Sequence, residues 1–117
     1  MIKITITGNP FTLNQQYVQR KGRGRRCLTS EARAYGYSVG WQAKAQHRGK
    51  PLTGDLEVIY HYYFYNNIKR DHLNFNKILN DRFNQIVWKD DSQIKISHHY
   101  THYDKENPRV ELIITKI

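Results

Sequence analysis

The sequence predicts an α/β (α+β) fold, a single small domain in which two helices pack on a mixed β-sheet in the order β-α-β-α-β-β. Three observations support this prediction. Four segments alternate apolar and polar residues, as half-buried strands do. Two segments between them carry apolar residues at helical spacing. The length of 117 residues suits one hydrophobic core, so we assign residues 1–117 to one domain.

The first strand is predicted at residues 2–7, which alternate until Gly8-Asn9-Pro10 ends the pattern. Residues 11–29 have no clear period and are predicted to form a loop. Cations are concentrated in its centre: Arg20, Lys21, Arg23, Arg25 and Arg26. A solvated surface loop is one interpretation, but this density of charge favours contact with phosphates.

The first helix is predicted at residues 30–47. Thr29 or Ser30 suits the N-cap, and Glu31 lies in the first turn, where an acid is favoured. Its apolar residues at helical spacing are Ala34, Tyr37 or Ser38, Trp41 and Ala45. Residues 48–51, with a glycine and a proline, end it.

A long strand is predicted at 55–65, with alternate residues on one face: Leu56, Val58, Tyr60, Tyr62 and Phe64. A second helix is predicted at 71–86. Its buried stripe comprises Phe75, Ile78, Leu79, Phe83 and Ile86, and its polar face comprises Asn74, Lys77, Asp81 and Asn84.

Two further strands are predicted at 92–103 and 109–116, separated by a turn at 104–108. In the first of them, alternation places four residues on one side: Ile94, Ile96, His98 and Tyr100. Because a short turn joins the two strands, we expect them to pair as an antiparallel hairpin.

The composition favours a polyanionic partner. The chain has 19 Lys and Arg against 10 Asp and Glu, a formal net charge of +9. Such a balance is typical of proteins that bind nucleic acid. The single Cys27 excludes an internal disulfide and suits a reducing cytoplasm. No apolar segment resembles a signal peptide or approaches the length of a membrane span, so we expect no membrane partner.

Carboxylates and a lysine occur together in the most informative part of this basic chain. Asp71 is predicted at a helix N-terminus, Lys77 lies on the same helix, and Asp91 follows it. If the chain returns residues 90–93 towards residue 71, these groups suit phosphodiester hydrolysis. Carboxylates would hold Mg²⁺, and the lysine would stabilise developing charge. From these residues alone, a helix cap and a polar turn are the more common interpretation.

The spacing resembles a known signature. Asp71-x-x-Asn74-x-x-Lys77-x-x-x-Asp81, followed by Trp88-x-Asp90-Asp91-x-Gln93, is similar to the RusA family of Holliday junction resolvases. Upstream, Asn9-Pro10, Asn14 and Ser30-Glu31-x-x-x-Tyr35 also fit that family. The resemblance therefore covers nearly the whole chain.

The resemblance implies a homodimer that cuts four-way DNA junctions by paired nicks with Mg²⁺ or Mn²⁺, in bacterial or phage recombination and repair. It implies metal ligands at Asp71 and Asp91, with Asp90 as a neighbouring candidate. Catalytic roles fall on Asp71, Asn74, Lys77 and Asp91. DNA contacts fall on Lys69, Arg70 and the cations of residues 20–26.

One position departs from the family pattern. Leu73 stands where an acid is common, and a leucine cannot bind a metal. Either a neighbour such as Asp90, Asp81 or His72 completes the site, or the protein binds junctions while cutting weakly or not at all. We favour retained activity, because one or two protein carboxylates suffice for Mg²⁺. A nuclease acting on RNA or flaps is a third class.

A histidine cluster is the remaining candidate for a metal site. His98 and His102 share a predicted strand face, while His99 points away. Zinc would need further ligands, so we interpret these residues as part of a sheet surface.

Overall fold

The computed structural model describes residues 1–10, 17–19, 26–28, 30–67 and 76–117. The strands are β1 (Ile2–Thr7), β2 (Tyr17–Gln19), β3 (Arg26–Leu28), β4 (Leu56–Phe64), β5 (Ile94–Tyr103) and β6 (Arg109–Lys116). The helices are α1 (Ser30–Gln46) and α2 (Lys77–Phe83), and a 3₁₀ turn spans Asp91–Gln93. The predicted fold class and element order are confirmed. The short antiparallel β2–β3 ribbon is an addition within the predicted loop.

The main sheet has the order β1-β6-β4-β5, and the predicted β5–β6 hairpin is wrong. β5 pairs with β4 in parallel, whereas β6 pairs antiparallel with both β4 and β1. The segment containing α2 returns the chain to the start of β4, so β5 runs beside β4 in the same direction. The turn after β5 then passes the end of β4, where the Asp104 N–H donates to the Phe64 carbonyl at 2.8 Å. β6 consequently enters the sheet between β4 and β1.

Alternating strand residues build the core, as predicted. Every second residue of β4, from Leu56 to Phe64, is buried on the face that the helices cover. The same face receives Val110, Leu112 and Ile114 from β6 and Ile4 and Ile6 from β1. Fully burying a large apolar side chain contributes about 1.5–3 kcal/mol, so this face dominates stability.

The predicted apolar face of α1 is wrong, although its bounds are nearly those expected. The buried residues are Ala32, Tyr35, Gly36, Val39 and Ala43. Tyr37 and Trp41 are instead 63% and 73% exposed. Two faces of this helix carry apolar residues in similar number. Packing against the edge of the sheet buries one of these faces and leaves the other exposed. Gln46 holds that orientation because it accepts from the Thr5 N–H at 2.8 Å and donates to the Thr5 carbonyl at 2.7 Å.

The described part of α2 ends at Phe83, three residues before the predicted end, and residues 71–75 of the prediction lie outside the described residues. Asn84 leaves the helical conformation, and Gln85 has a positive φ of 68°. A tight turn then buries Val87 and Trp88 completely. The Trp88 indole N–H donates to Asn84 Oδ1 at 2.8 Å, so burial of this large ring accounts for the early end of the helix.

Neither helix among the described residues is long and apolar enough to cross a membrane. Both helices lie on one face of the sheet. The opposite face, which we call the open face, carries alternate residues of β4 and β5, including Ile96 and Tyr100 at 44% and 49% exposure. A bulge beside Leu56 and Glu57 shifts the register by one residue, so Ile94 leaves its predicted side and packs against the core.

Candidate functional site

Lys77 is the first residue of α2 and lies at the surface. Its Nζ is 3.1 Å from Asp81 Oδ2, one helical turn along, and both side chains are about half exposed at 50% and 51%. A pair this exposed contributes little to stability.

The Asp90–Gln93 turn is held by two reciprocal hydrogen bonds. Asp90 Oδ2 accepts from the Ser92 N–H at 3.0 Å, and the Asp90 N–H donates to Gln93 Oε1 at 2.9 Å. The bonds from Ser92 lower the pKa of the Asp90 carboxyl below its ordinary value. Asp91 is the first residue of the 3₁₀ turn and follows this cap directly.

Gln93 anchors the same turn to the rest of the fold. Its Nε2 donates to the carbonyls of Leu52 and Gly54 at 3.0 and 2.9 Å. Gln93 of the motif therefore has a structural role, because its side chain fixes the backbone that carries Asp91. The turn also packs against α2, which brings the two halves of the predicted site together.

Tyr60 of β4 contacts α2 through its hydroxyl group. Its buried hydroxyl donates to Asn80 Oδ1 of α2 at 2.6 Å. Burial raises the pKa of this hydroxyl, the hydrogen bond with Asn80 opposes the rise, and the charge of Asp91 adds to it. The first turn of α2 is therefore fixed to the sheet at Tyr60.

His99 adjoins Tyr60 on the covered face of the sheet. Its ring stacks on that of Tyr60 with centroids 4.7 Å apart, and its Nδ1 lies 2.9 Å from the Tyr62 hydroxyl. Sequence reasoning placed Tyr60 in the core but did not anticipate its contacts with Asn80 and His99. The available signal was a tyrosine at a core position, because a buried phenol requires a polar partner.

Comparison with known protein families identifies the family of this chain. The family model described as Endodeoxyribonuclease RusA matches residues 7–115, nearly the whole chain. The chain belongs to the RusA endodeoxyribonuclease family. This is a family of Holliday junction endodeoxyribonucleases, which bind branched DNA. A search of curated proteins gave no significant match.

The predicted RusA site residues divide into two groups. Lys77, Asp90 and Asp91 are described, and α2 and the 3₁₀ turn bring them into one region. Arg26 lies in β3. The others lie outside the described residues: Arg20, Lys21, Arg23, Arg25, Lys69, Arg70, Asp71, Leu73 and Asn74.

The described donors at the RusA site are of the type that Mg²⁺ and Mn²⁺ prefer. They are carboxylates, and one oxygen of Asp90 is already used by its cap. Within the described ranges, no group of three or more His, Cys, Asp and Glu residues is placed to hold a metal ion.

The histidines of β5 divide between the sheet faces as predicted. His98 lies on the open face beside Glu57, with Nε2 3.0 Å from a carboxylate oxygen. His102 is on the same face, and its Nε2 lies 2.8 Å from His61 Nδ1. Burial, and then the neighbouring His61, lower the pKa of His102. His99 lies on the opposite face, against Tyr60 and Tyr62.

Proposed function

We propose that this chain is a metal-dependent endonuclease that binds four-way DNA junctions and resolves them by paired nicks, in recombination and repair. The observation that carries the proposal is the match of residues 7–115 to the RusA family, together with the packing of the Asp91 turn against the helix that begins at Lys77. A lysine and a carboxylate on two packed elements suit the hydrolysis of a phosphodiester.

Asp71 and Asp91 would hold Mg²⁺ or Mn²⁺, with Asp90 assisting. The ion would supply positive charge at the scissile phosphate and lower the pKa of the attacking water. Lys77 would donate to the phosphate oxygens as negative charge develops. Asn74 would orient the phosphate or the water.

Backbone phosphates would be held by a separate set of cations. Lys69, Arg70 and the cations of residues 20–26 would contact them without reading base edges. Selection of the junction would then depend on its shape and on the geometry of the dimer.

Leu73 gives a second candidate function, a junction-binding protein with weak or no cleavage. Asp81 was one candidate to replace the missing acid, but it pairs with Lys77 at 3.1 Å. That contact favours a role for Asp81 in positioning the lysine. Asp91 and Asp71 would then be the principal ligands, and the affinity for metal would be low.

A homodimer is part of the proposal, because paired nicks require two sites. The open face supports it, since Ile96 and Tyr100 are large side chains left exposed there. A mass measurement in solution tests the dimer. We expect the protein to act in the cytoplasm of a bacterium or a phage-infected cell.

The decisive experiment uses a synthetic four-way junction with and without Mg²⁺ or Mn²⁺. We expect paired nicks that need the metal and that Asp91→Asn abolishes. Glu106→Gln is the matched control, because Glu106 is exposed in the turn after β5, at the opposite end of that strand from Asp91. Tight binding with no nicking at any metal concentration would refute the enzyme and leave the junction-binding alternative. Parallel RNA and flap substrates separate the remaining class.

A further inference from the structure

A groove between α1 and α2 lies beside the proposed catalytic helix. It has a volume of about 390 Å³, and its lining includes Tyr37, Trp41, Lys44, Asp81 and Arg82. Neither the sequence motifs nor the proposed chemistry uses its aromatic residues. The groove therefore needs its own explanation.

Two large aromatic rings lie exposed on the α1 wall. Trp41 is 73% and Tyr37 63% exposed, and they are one helical turn apart. The core uses the other stripe of α1, so neither ring is needed there. Isolated exposed aromatics are common, but two neighbouring rings in one groove are typical of a binding surface.

Each ring has a cation nearby. Lys44 Nζ lies 5.6 Å from the centre of the Trp41 ring, and the Arg82 guanidinium carbon lies 5.1 Å from that of Tyr37. A cation–π contact at an exposed site is weak, so the cation remains available to an anion. The acid in the lining, Asp81, is paired with Lys77. The groove therefore offers flat apolar faces together with positive charge.

Small residues keep this wall open. A Cβ on Gly36 would lie 2.9 Å from Arg82 Nε, so a larger residue would displace the guanidinium group. A Cβ on Gly40 would meet no atom within 4 Å, so the space beside Trp41 is free. A planar ligand can therefore reach the rings.

We propose that this groove binds one or two unpaired nucleotides of the DNA strand, with bases stacked on Trp41 and Tyr37 and phosphates held by Lys44 and Arg82. This inference rests on the proposed action on DNA. Unpaired bases are the chemistry that fits, because stacking requires an exposed base face, which a duplex arm lacks. The cations match the phosphate charge.

The position of the groove relates it to the cut. Asp81, which lines the groove, lies 3.1 Å from Lys77 Nζ, so the groove adjoins the proposed catalytic lysine. A nucleotide held in the groove would flank the phosphate at Lys77, so unpaired DNA at the branch point would be presented for cleavage.

The test measures binding of a labelled oligothymidylate, a blunt duplex and a four-way junction. Trp41→Ala should weaken oligothymidylate binding about tenfold, with duplex binding changed by less than about twofold. Trp41→Phe should retain most of the affinity, because a ring remains. Tyr103→Ala is the matched control, since it removes a 53% exposed aromatic residue at the end of β5 that does not line the groove.

Fluorescence gives an independent readout. The chain has two tryptophans, and Trp88 is fully buried, so quenching by oligothymidylate should come from Trp41 and disappear in Trp41→Phe. Unchanged oligothymidylate affinity in Trp41→Ala, or an equal loss in Tyr103→Ala, would overturn the inference while junction cleavage persists. A wild-type protein that binds none of the three DNAs would overturn the proposed function and this inference together.

Discussion

Replacing Gln93 by alanine should loosen the turn that carries Asp91. The side chain makes three hydrogen bonds: two from Nε2 to the carbonyls of Leu52 and Gly54, and one to Oε1 from the Asp90 N–H. Alanine removes all three at once. The turn would then lose its anchor to the segment before β4.

The expected cost follows from these bonds. One hydrogen bond contributes about 0.5–1.5 kcal/mol net, so three would give about 1.5–4.5 kcal/mol. Two of the three, the bonds to Gly54 and from Asp90, are exposed, and water can replace part of what is lost there. We therefore expect the free energy of unfolding to fall by about 2 kcal/mol.

Urea denaturation followed by circular dichroism measures this change. Gln85→Ala is the control, because Gln85 makes one exposed side-chain bond, to the Lys89 carbonyl at 2.6 Å. That variant should lose less than about 1 kcal/mol. Equal losses in the two variants, or a loss below about 0.5 kcal/mol for Gln93→Ala, would refute the anchoring role.

Three further predictions follow from packing, exposure and protonation. Leu79→Ala should lower the unfolding free energy by about 2–5 kcal/mol in urea, because Leu79 is fully buried; a smaller loss would contradict its place in the core. Lys77→Ala and Asp81→Ala should each change stability by less than about 1 kcal/mol, yet nicking assays should show that Lys77→Ala loses cleavage and that Asp81→Ala lowers it only in part. Burial and His61 lower the pKa of His102 below its ordinary 6.5, so its NMR titration midpoint should lie lower. The folded state favours the neutral ring of His102. The contribution of this residue to the free energy of unfolding is therefore complete above pH 6.5, and it is lost as the pH falls through the lowered pKa.

Much of the fold was predictable because alternation records which face of a strand is buried. The buried residues of β4 and β6 agree with the period-two pattern. The pattern does not record which strand is the neighbour, so the β5–β6 pairing was wrong. The prediction of the buried face of α1 was wrong for a related reason. Two faces of the helix carry apolar residues, and only contact with the sheet distinguishes them.

The candidate site was predictable in part. Motif spacing selected Lys77, Asp90 and Asp91, and the fold brings the helix and the turn that carry them together. The spacing of the motif did not predict the hydrogen bond of Tyr60. A tyrosine in the core shows the same alternation in the sequence whatever its hydroxyl group contacts. Its role depends on Asn80, which is twenty residues away in sequence.

The sequence by itself determined the family, the fold class and the identity of the chemical groups, since these depend on residue type and local periodicity. Tertiary structure decided the strand neighbours, the exposed face of α1 and the link between α2 and the Asp91 turn. The physical reason is that long-range contacts select among local patterns of nearly equal energy. Trp41 is the clearest case: it was expected at an apolar helix face, and it lies in a basic groove because the sheet packs against Val39 and Ala43 instead.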